Sequence, residues 1–434
     1  MKTTIKLAVA SALVAAASSA QAGITIPAGD WTLDIGGVVN AYYTSTSYSG
    51  DTGAGTGPLG LGDGNQDTTS NITTGLLPNY LSVSGKTRQN DLDVGFTISI
   101  NPGASTTRSL VQGEGSGQGG QENRQAFLTF GDKSWGSIKL GKDLGIYASD
   151  AILNDMTLLG VGAGAGNLAG NTTTLGRIGT GFMYADWKSQ VAYSSPNWNG
   201  FSFTAGVTQS WNAQAAFGGA GSSERGGSSP AFEGKASYEW AGDVAGKVWT
   251  SGISQRVKNV GAASAVAPGF EITGTSGGYL LGNPTAGSAA VAGRDQTVRA
   301  FDIGATVNVA GFGLTGYYGK GDGIGQTGQL VGGFDANGKK RDSDQWYVQA
   351  TYTLPGVGTK LGASYGESTL DGNSVDTFKE VEDSMWVVGA YHPLTKHLNL
   401  VAEYSESERD YDDRATGSAK AKAKTVSLGA ILFF

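Results

Sequence analysis

With 434 residues, 71 of them Gly, 39% apolar and 15% charged, the chain is short of both core and charge for its length, since soluble globular proteins carry roughly 45–50% and 25%. The lack of Cys excludes a disulfide scaffold, thiolate zinc and iron–sulfur centres, and 2 His leave little room for imidazole ligands or bases. Disorder is excluded by 17 Tyr, 15 Phe and 9 Trp, more aromatics than an unfolded chain carries.

The first element is a leader. Lys2 and Lys6 precede the apolar run Leu7 to Ala17, and Ala20-Gln21-Ala22 supplies a small-residue cleavage site. Residues 1–22 therefore read as a signal peptide and Gly23 as the mature N-terminus. Cleavage removes two lysines and no acid, leaving 28 basic against 37 acidic residues and a net charge of −9. That balance argues against a nucleic-acid partner, which selects basic faces. Beyond Ala22 no apolar run approaches the about 20 residues of a spanning helix. A barrel strand needs only about 9–11 residues and alternates lipid-facing with lumen-facing side chains.

That alternation recurs along the chain. Trp31, Leu33, Ile35, Val39, Ala41 and Tyr43 share a parity opposite Thr32, Asp34 and Asn40, and in Leu92–Ile100 every even position is apolar. The same holds for Phe201, Phe203, Ala205 and Val207, for Phe301 to Val309, for Trp346 to Leu354, and for Leu398 to Tyr404. A helix would mix Asp, Asn and Glu into the apolar stripe, so the period decides for strands. Sixteen are expected, near 31–44, 77–86, 91–101, 122–131, 135–142, 182–195, 200–210, 231–241, 245–257, 296–309, 311–320, 343–354, 358–367, 383–392, 397–406 and 423–434. The ninth is ambiguous in facing, because Lys247, Trp249 and Ile253 share one parity.

Short connections rich in Gly, Pro or Asn, such as Ala310-Gly311 and Pro393-Leu394-Thr395-Lys396, alternate with long polar ones near 45–76, 102–122, 143–181, 210–231, 257–296, 320–343, 367–383 and 406–423. Strand edges cannot be left open in lipid, so the strands must close. The expected fold for 23–434 is all-β, a 16-stranded antiparallel transmembrane β-barrel with short periplasmic turns and long extracellular loops. The last strand places Val426, Leu428, Ala430, Leu432 and Phe434 on one face, with an aromatic at the terminal carboxylate. Such an ending resembles the signal by which outer-membrane barrels are recognised for insertion.

Several segments resemble the general Gram-negative trimeric porins, in particular their non-enteric proteobacterial branch. Asn123-Arg124-Gln125-Ala126-Phe127 followed by Trp135 to Lys142 is similar to that family's fourth and fifth strands. Tyr193-Ser194-Ser195-Pro196 through Gly200-Phe201 resembles its sixth-to-seventh hairpin, and Leu398 to Tyr404 its penultimate strand. The Pro-Glu-Phe-Gly segment of enteric porins is absent from the third long loop. The resemblance implies a water-filled pore in the outer membrane, narrowed by an inward-folded third loop, within a homotrimer in contact with outer-membrane lipid and lipopolysaccharide. It implies passive diffusion of small hydrophilic solutes and ions, with a weak cation preference suggested by the charge of −9 and the acids of the third loop. The alternative is a substrate-specific channel for a sugar, phosphate or organic acid.

The expected constriction combines Arg124, Lys139 and Lys142 on the wall with Asp143, Asp150, Asp155 and Arg177 on or beside the third loop. Opposed charges across a narrow passage set up a transverse field that orients dipolar solutes. Solvated charges at strand ends are the competing reading, and for Asp150 and Asp155 the two stand level. Placing Arg124 inside by strict parity would also turn Leu128 and Phe130 inward, which calls for a bulge.

No cofactor, metal site or catalytic residue is expected. Gly162-Ala163-Gly164-Ala165-Gly166 lacks the Lys-Ser/Thr of a phosphate loop, Asp335-Ala336-Asn337-Gly338 reads as a turn, and His392 and His397 have no third ligand nearby. The acids of the seventh loop (Glu367, Asp371, Asp376, Glu380, Glu382, Asp383) and the eighth (Glu406, Glu408, Asp410, Asp412, Asp413) read as solvated extracellular charge, or as ligands for divalent cations bridging lipopolysaccharide.

Overall fold

The structure, a computed structural model, describes residues 23–51, 67–105, 121–163, 173–261 and 293–434; the leader 1–22 and Gly164 to Gly166 lie outside them. The chain enters through β1 (Ile24–Ala28), which folds back on β2 (Trp31–Gly50). Next come β3 (Thr68–Thr73), β4 (Tyr80–Gln89), β5 (Leu92–Pro102), the two-residue β6 (Gln121–Glu122), β7 (Ala126–Asp132) and β8 (Gly136–Leu144). A short helix α1 (Ser149–Leu153) precedes β9 (Trp187–Ser194), β10 (Phe201–Thr208) and β11 (Ser222–Glu224). Then follow β12 (Ala231–Trp240), β13 (Val244–Val260), β14 (Arg294–Val309), β15 (Phe312–Asp322), β16 (Asp342–Thr353), β17 (Lys360–Asp371), β18 (Phe378–Pro393), β19 (Leu398–Asp413) and β20 (Gly417–Phe433).

Setting aside the short β1, β3, β6 and β11, sixteen antiparallel strands pair in order, and β2 closes on β20 from Val38↔Phe433 to Gly50↔Ala421. Closure satisfies every edge, as hydrocarbon requires. Alternation sets the two faces: on β2, Val39 is 54% and Tyr43 50% exposed, while their neighbours Val38 and Tyr42 are 0% and 1%. The buried apolar core therefore lies inside the cylinder, where Val38, Tyr42, Tyr347 and Tyr391 of the wall meet Met156, Ile178 and Phe182 of an inward loop.

All sixteen expected strands have counterparts. The ninth, β13, turns Lys247, Trp249, Ser251 and Ile253 inward; Trp249 and Ile253 are buried beneath inward loops, which is why an apolar parity can face a lumen. At Arg124 a bulge does occur. Asn101 pairs with Glu122 but Ile98 with Ala126, so the 123–125 side carries one residue more and parity resets before Leu128, which points outward.

The seventh and eighth connections are shorter than expected, reduced to 372–377 and 414–416 because β18, β19 and β20 continue beyond the apolar band. There the outward row is charged: Glu406, Glu408 and Asp410 face Lys424, Lys422 and Lys420 across the ladder, with Lys422–Glu408 at 2.5 Å and Lys420–Asp410 at 2.7 Å. Cross-strand charge pairs support a strand as apolar pairs do, but a search for apolar alternation does not see them. Two of the acids read as solvated are buried: Asp383 is clamped by Arg409, and Asp376 by Arg341.

Candidate pore and its inward loops

The third loop, L3 (145–186), is drawn inward by polar side chains on the inner wall. Glu233 of β12 accepts from the amides of Ile146 and Tyr147, both at 2.9 Å, and Ser251 of β13 accepts from Ala148 at 3.0 Å. Tyr347 of β16 donates to Ala151 O at 2.9 Å. Gln349 reads both sides of the loop, accepting from Met156 N and donating to Asn154 O. Farther round, Glu403 of β19 accepts from Val161 N and Gly162 N at 2.8 and 2.9 Å, while its other oxygen accepts from Tyr391 at 2.6 Å. Tyr42 of β2 closes the series on Leu159 O at 2.6 Å. L3 thus follows the wall from β12 to β2 as a girdle, its buried amides paired with wall side chains as burial demands.

Asp155 and Arg177 belong to this girdle. Asp155 caps the 3₁₀ turn Met156–Leu159 through Thr157 N at 2.9 Å and also accepts from Arg177 N at 3.1 Å. The Arg177 guanidinium donates to Met385 O at 2.9 Å and lies 5.9 Å from the Tyr347 ring centre. Burial raises the Asp155 carboxyl above its ordinary range despite Arg177, and the same burial lowers Arg177 to about 10. Both residues fasten the loop rather than line an open passage.

Asp150 has a different setting. It heads α1 with Lys247 of β13 at 2.6 Å and Lys235 of β12 at 3.2 Å, two wall lysines that keep part of their surface accessible. Burial works to raise the carboxyl, but the two lysines together hold it below its usual value. Lys247 also reaches Glu239 at 3.3 Å. A loop acid set between wall bases is the arrangement expected of a constriction, and Lys235, Lys247 and Glu239 are the members absent from the sequence-based set.

The remaining expected residues fall in three places. Arg124 is buried, donates to Glu122 at 2.8 Å and lies over Trp187 at 5.6 Å, beside a narrow crevice of about 30 Å³ lined by Leu76, Leu144, Leu158 and Tyr184. Lys139 pairs with Asp143 and lies 4.8 Å from the centre of the Phe127 ring, and Asp143 also accepts from Gln125 at 3.0 Å. Lys142 stands in the outward row with Ala126 and Ser189 and donates to Asn123 O at 2.9 Å. The seven residues therefore do not form one cluster, and Lys142 is on the opposite face of the wall from the other six.

Two further loops turn inward. L6 (323–341) docks on L3, with Tyr184 N donating to Thr327 O at 2.8 Å and Thr327 N to Gly181 O at 3.0 Å. L4 (209–230) runs beside L6, Gln214 N donating to Leu330 O and Gly332 N to Gln214 O. Its tip reaches β18 and β19 on the far side of the mouth. There Phe217, at a left-handed φ of 52°, lies 5.4 Å from the Arg409 guanidinium and 6.1 Å from the Phe378 ring. Arg341 donates to Phe217 O at 3.1 Å and Gly332 O at 2.9 Å while clamping Asp376 with two bonds of 2.9 and 2.5 Å. L4 is a strap across the mouth, buckled at its tip by two carboxylate-paired arginines.

A closed sixteen-strand barrel with a loop girdling its lumen can be compared with known proteins. The family model described as Gram-negative porin matches residues 8–413. The chain belongs to the Gram-negative porin family. A search of curated proteins by sequence finds no match. Among solved structures, this porin is similar to the outer-membrane channel DcaP of Acinetobacter baumannii, at 17% identity and TM-score 0.64, covering 95% of this chain and 100% of that one. It is similar also to a loop-deleted OmpT of Vibrio cholerae, at 16% identity, TM-score 0.55 and coverage of 93% and 100%. Salmonella typhi OmpF, solved with daunomycin, aligns at 14% identity, TM-score 0.53 and coverage of 95% and 100%. At such identities the likeness concerns the fold. The porin is an outer-membrane barrel with its spanning strands as laid out above.

Proposed function

We propose that this porin is a passive diffusion pore for small hydrophilic solutes and ions, weakly cation-preferring, working as a homotrimer and catalysing no reaction. The carrying observation is Asp150 between Lys235 and Lys247, an acid–base pairing between L3 and the wall. Because these wall lysines, like Lys139, are matched by carboxylates, the pairs roughly cancel and the net −9 of the mature chain is left to favour cations. OmpT of Vibrio cholerae, similar in fold at 15% identity and TM-score 0.53, has been solved in a trimer form, which supports the homotrimer.

Conductance across a planar bilayer under a KCl gradient tests the reading. Large steps, often in threes, with a reversal potential of cation sign are expected; a folded barrel that passes no current would remove the proposal. Asp150→Asn is expected to leave Lys235 without its carboxylate and Lys247 with Glu239 alone, and to move the reversal potential toward anions, since fixed charge at a narrow point outweighs charge beyond about 8–10 Å in salt. An unmoved potential would place the constriction elsewhere.

A substrate-specific channel is favoured by one observation, the crevice where Arg124, Trp187 and Tyr184 meet a row of leucines. Saturation of conductance by one organic acid or sugar would select that reading. Export through a signal peptide is part of the proposal, and intact-mass measurement of the membrane-extracted protein is expected to place its N-terminus at Gly23.

A further inference from the structure

Lys188 is the second residue of β9, at the point where L3 rejoins the wall. The acid opposite it on β8, Asp143, is already taken by Lys139 and Gln125. The lysine turns instead to Glu233, two strands away beyond β10, at 2.5 Å, and both side chains are 0% exposed. Desolvation offsets most of the attraction within a buried ion pair, so such a pair is better explained by what it holds in place than by stability.

An ammonium has three N–H donors, and Lys188 reaches three elements. Glu233 of β12 accepts one bond, Gln329 of L6 accepts another at 3.1 Å, and the ring centre of Trp211, in L4, lies 4.7 Å from Nζ. The second Glu233 oxygen accepts from the Ile146 and Tyr147 amides, where L3 leaves the wall. The Gln329 amide nitrogen donates to Tyr184 O and Ala185 O, where L3 returns, at 3.2 and 3.3 Å. Both ends of L3, together with L4 and L6, are thus tied to one ammonium.

The start of L3 leads directly to the proposed constriction. After Tyr147, Ala148 takes a left-handed φ of 62°, a conformation that persists only while its surroundings hold it. Ser149 donates to Ile146 O and accepts from Lys235, both at 3.0 Å. Asp150 follows, between Lys235 and Lys247. A shift of residues 146–147 on Glu233 therefore displaces that carboxylate.

We propose that Lys188 is a positioning residue of the pore: through Glu233 it sets where Asp150 stands, and through Gln329 and Trp211 it holds L4 and L6 to the same point. The part concerning Asp150 rests on the diffusion-pore reading; the common anchoring of the three loops does not. Hydrogen–deuterium exchange of the detergent-purified barrel tests the anchoring, read at the bonded amides of Ile146 and Tyr147 in L3, Gln214 in L4 and Thr327 in L6. Lys188→Met is expected to lower protection in all three loops about a hundredfold, as when a buried pair is broken from one side, while the amides of β19 and β20 keep theirs. Lys188→Met with Glu233→Gln leaves no charge buried alone, so it decides the matter if the single variant does not fold; a loss of about tenfold in all three loops is expected there. Reversal potentials test the positioning: the shift produced by Asp150→Asn is expected to fall to less than half in the Lys188→Met background. Loosening confined to one loop, unchanged protection in either variant, or a full Asp150→Asn shift without Lys188 would each overturn the proposal. A wild-type barrel that carries no current would remove the diffusion-pore reading and the role of Asp150 with it, and the exchange result would still decide the anchoring.

Discussion

Replacing Arg341 with Ala is expected to unfasten L4 from the far side of the mouth and raise single-channel conductance. The substitution leaves Asp376 buried without its partner and removes the donors to Phe217 O and Gly332 O. Breaking a buried ion pair from one side costs about 3–5 kcal/mol, a change of roughly a hundredfold or more between docked and released strap. The strain at Phe217 acts in the same direction, because a bulky side chain at positive φ persists only while its surroundings hold it. Phe217→Ala, which spares both ion pairs, is expected to give a smaller increase, in line with losing a desolvated cation–π contact of about 2 kcal/mol. Conductance identical to wild type in an Arg341→Ala barrel of normal heat-modifiable mobility would show that L4 does not obstruct the passage.

The second large effect is expected at Glu403. Its carboxylate holds two consecutive L3 amides and the Tyr391 hydroxyl, and hydrogen bonds to a charged group are worth about 1.5–3 kcal/mol each. Glu403→Ala leaves all three buried donors without an acceptor, so the 160–163 segment is expected to lift from β19. Liposome-swelling rates should then rise most for the largest solutes, those the girdle now excludes. Tyr391→Phe removes one of the three bonds but neither of the two that hold L3, and should barely register. Equal rates in Glu403→Ala and wild type would mean that L3 is held by its other anchors alone.

The barrel is legible in the chain because period two carries burial, and the apolar stripes named from sequence face outward in the structure, with Trp249 and Ile253 of β13 the exception. Where charge pairs replace apolar residues, as along Glu406 to Asp410 against Lys420 to Lys424, the same period persists without its hydrophobic marker, and strand ends read from apolar residues fall short. The proposed constriction is legible by halves. Asp150 stands out as an acid on the third loop, but its partners Lys235 and Lys247 are 85 and 97 residues away, a contact that no local pattern encodes. Lys142 is grouped with the wall bases by likeness to a family position, and β8 sets it in the outward row with Ala126 and Ser189. Nothing local marks Phe217, whose place follows from two arginines on elements far along the chain.

The anchoring of L3 has a consequence for assembly. Val161 and Gly162 wait for an acceptor 242 and 241 residues farther on, on the penultimate strand, and Tyr42 can approach Glu403 only once β2 has met β20. Contacts so distant along the chain form late. A barrel threaded into the membrane but not yet sealed therefore has its wall before its filter.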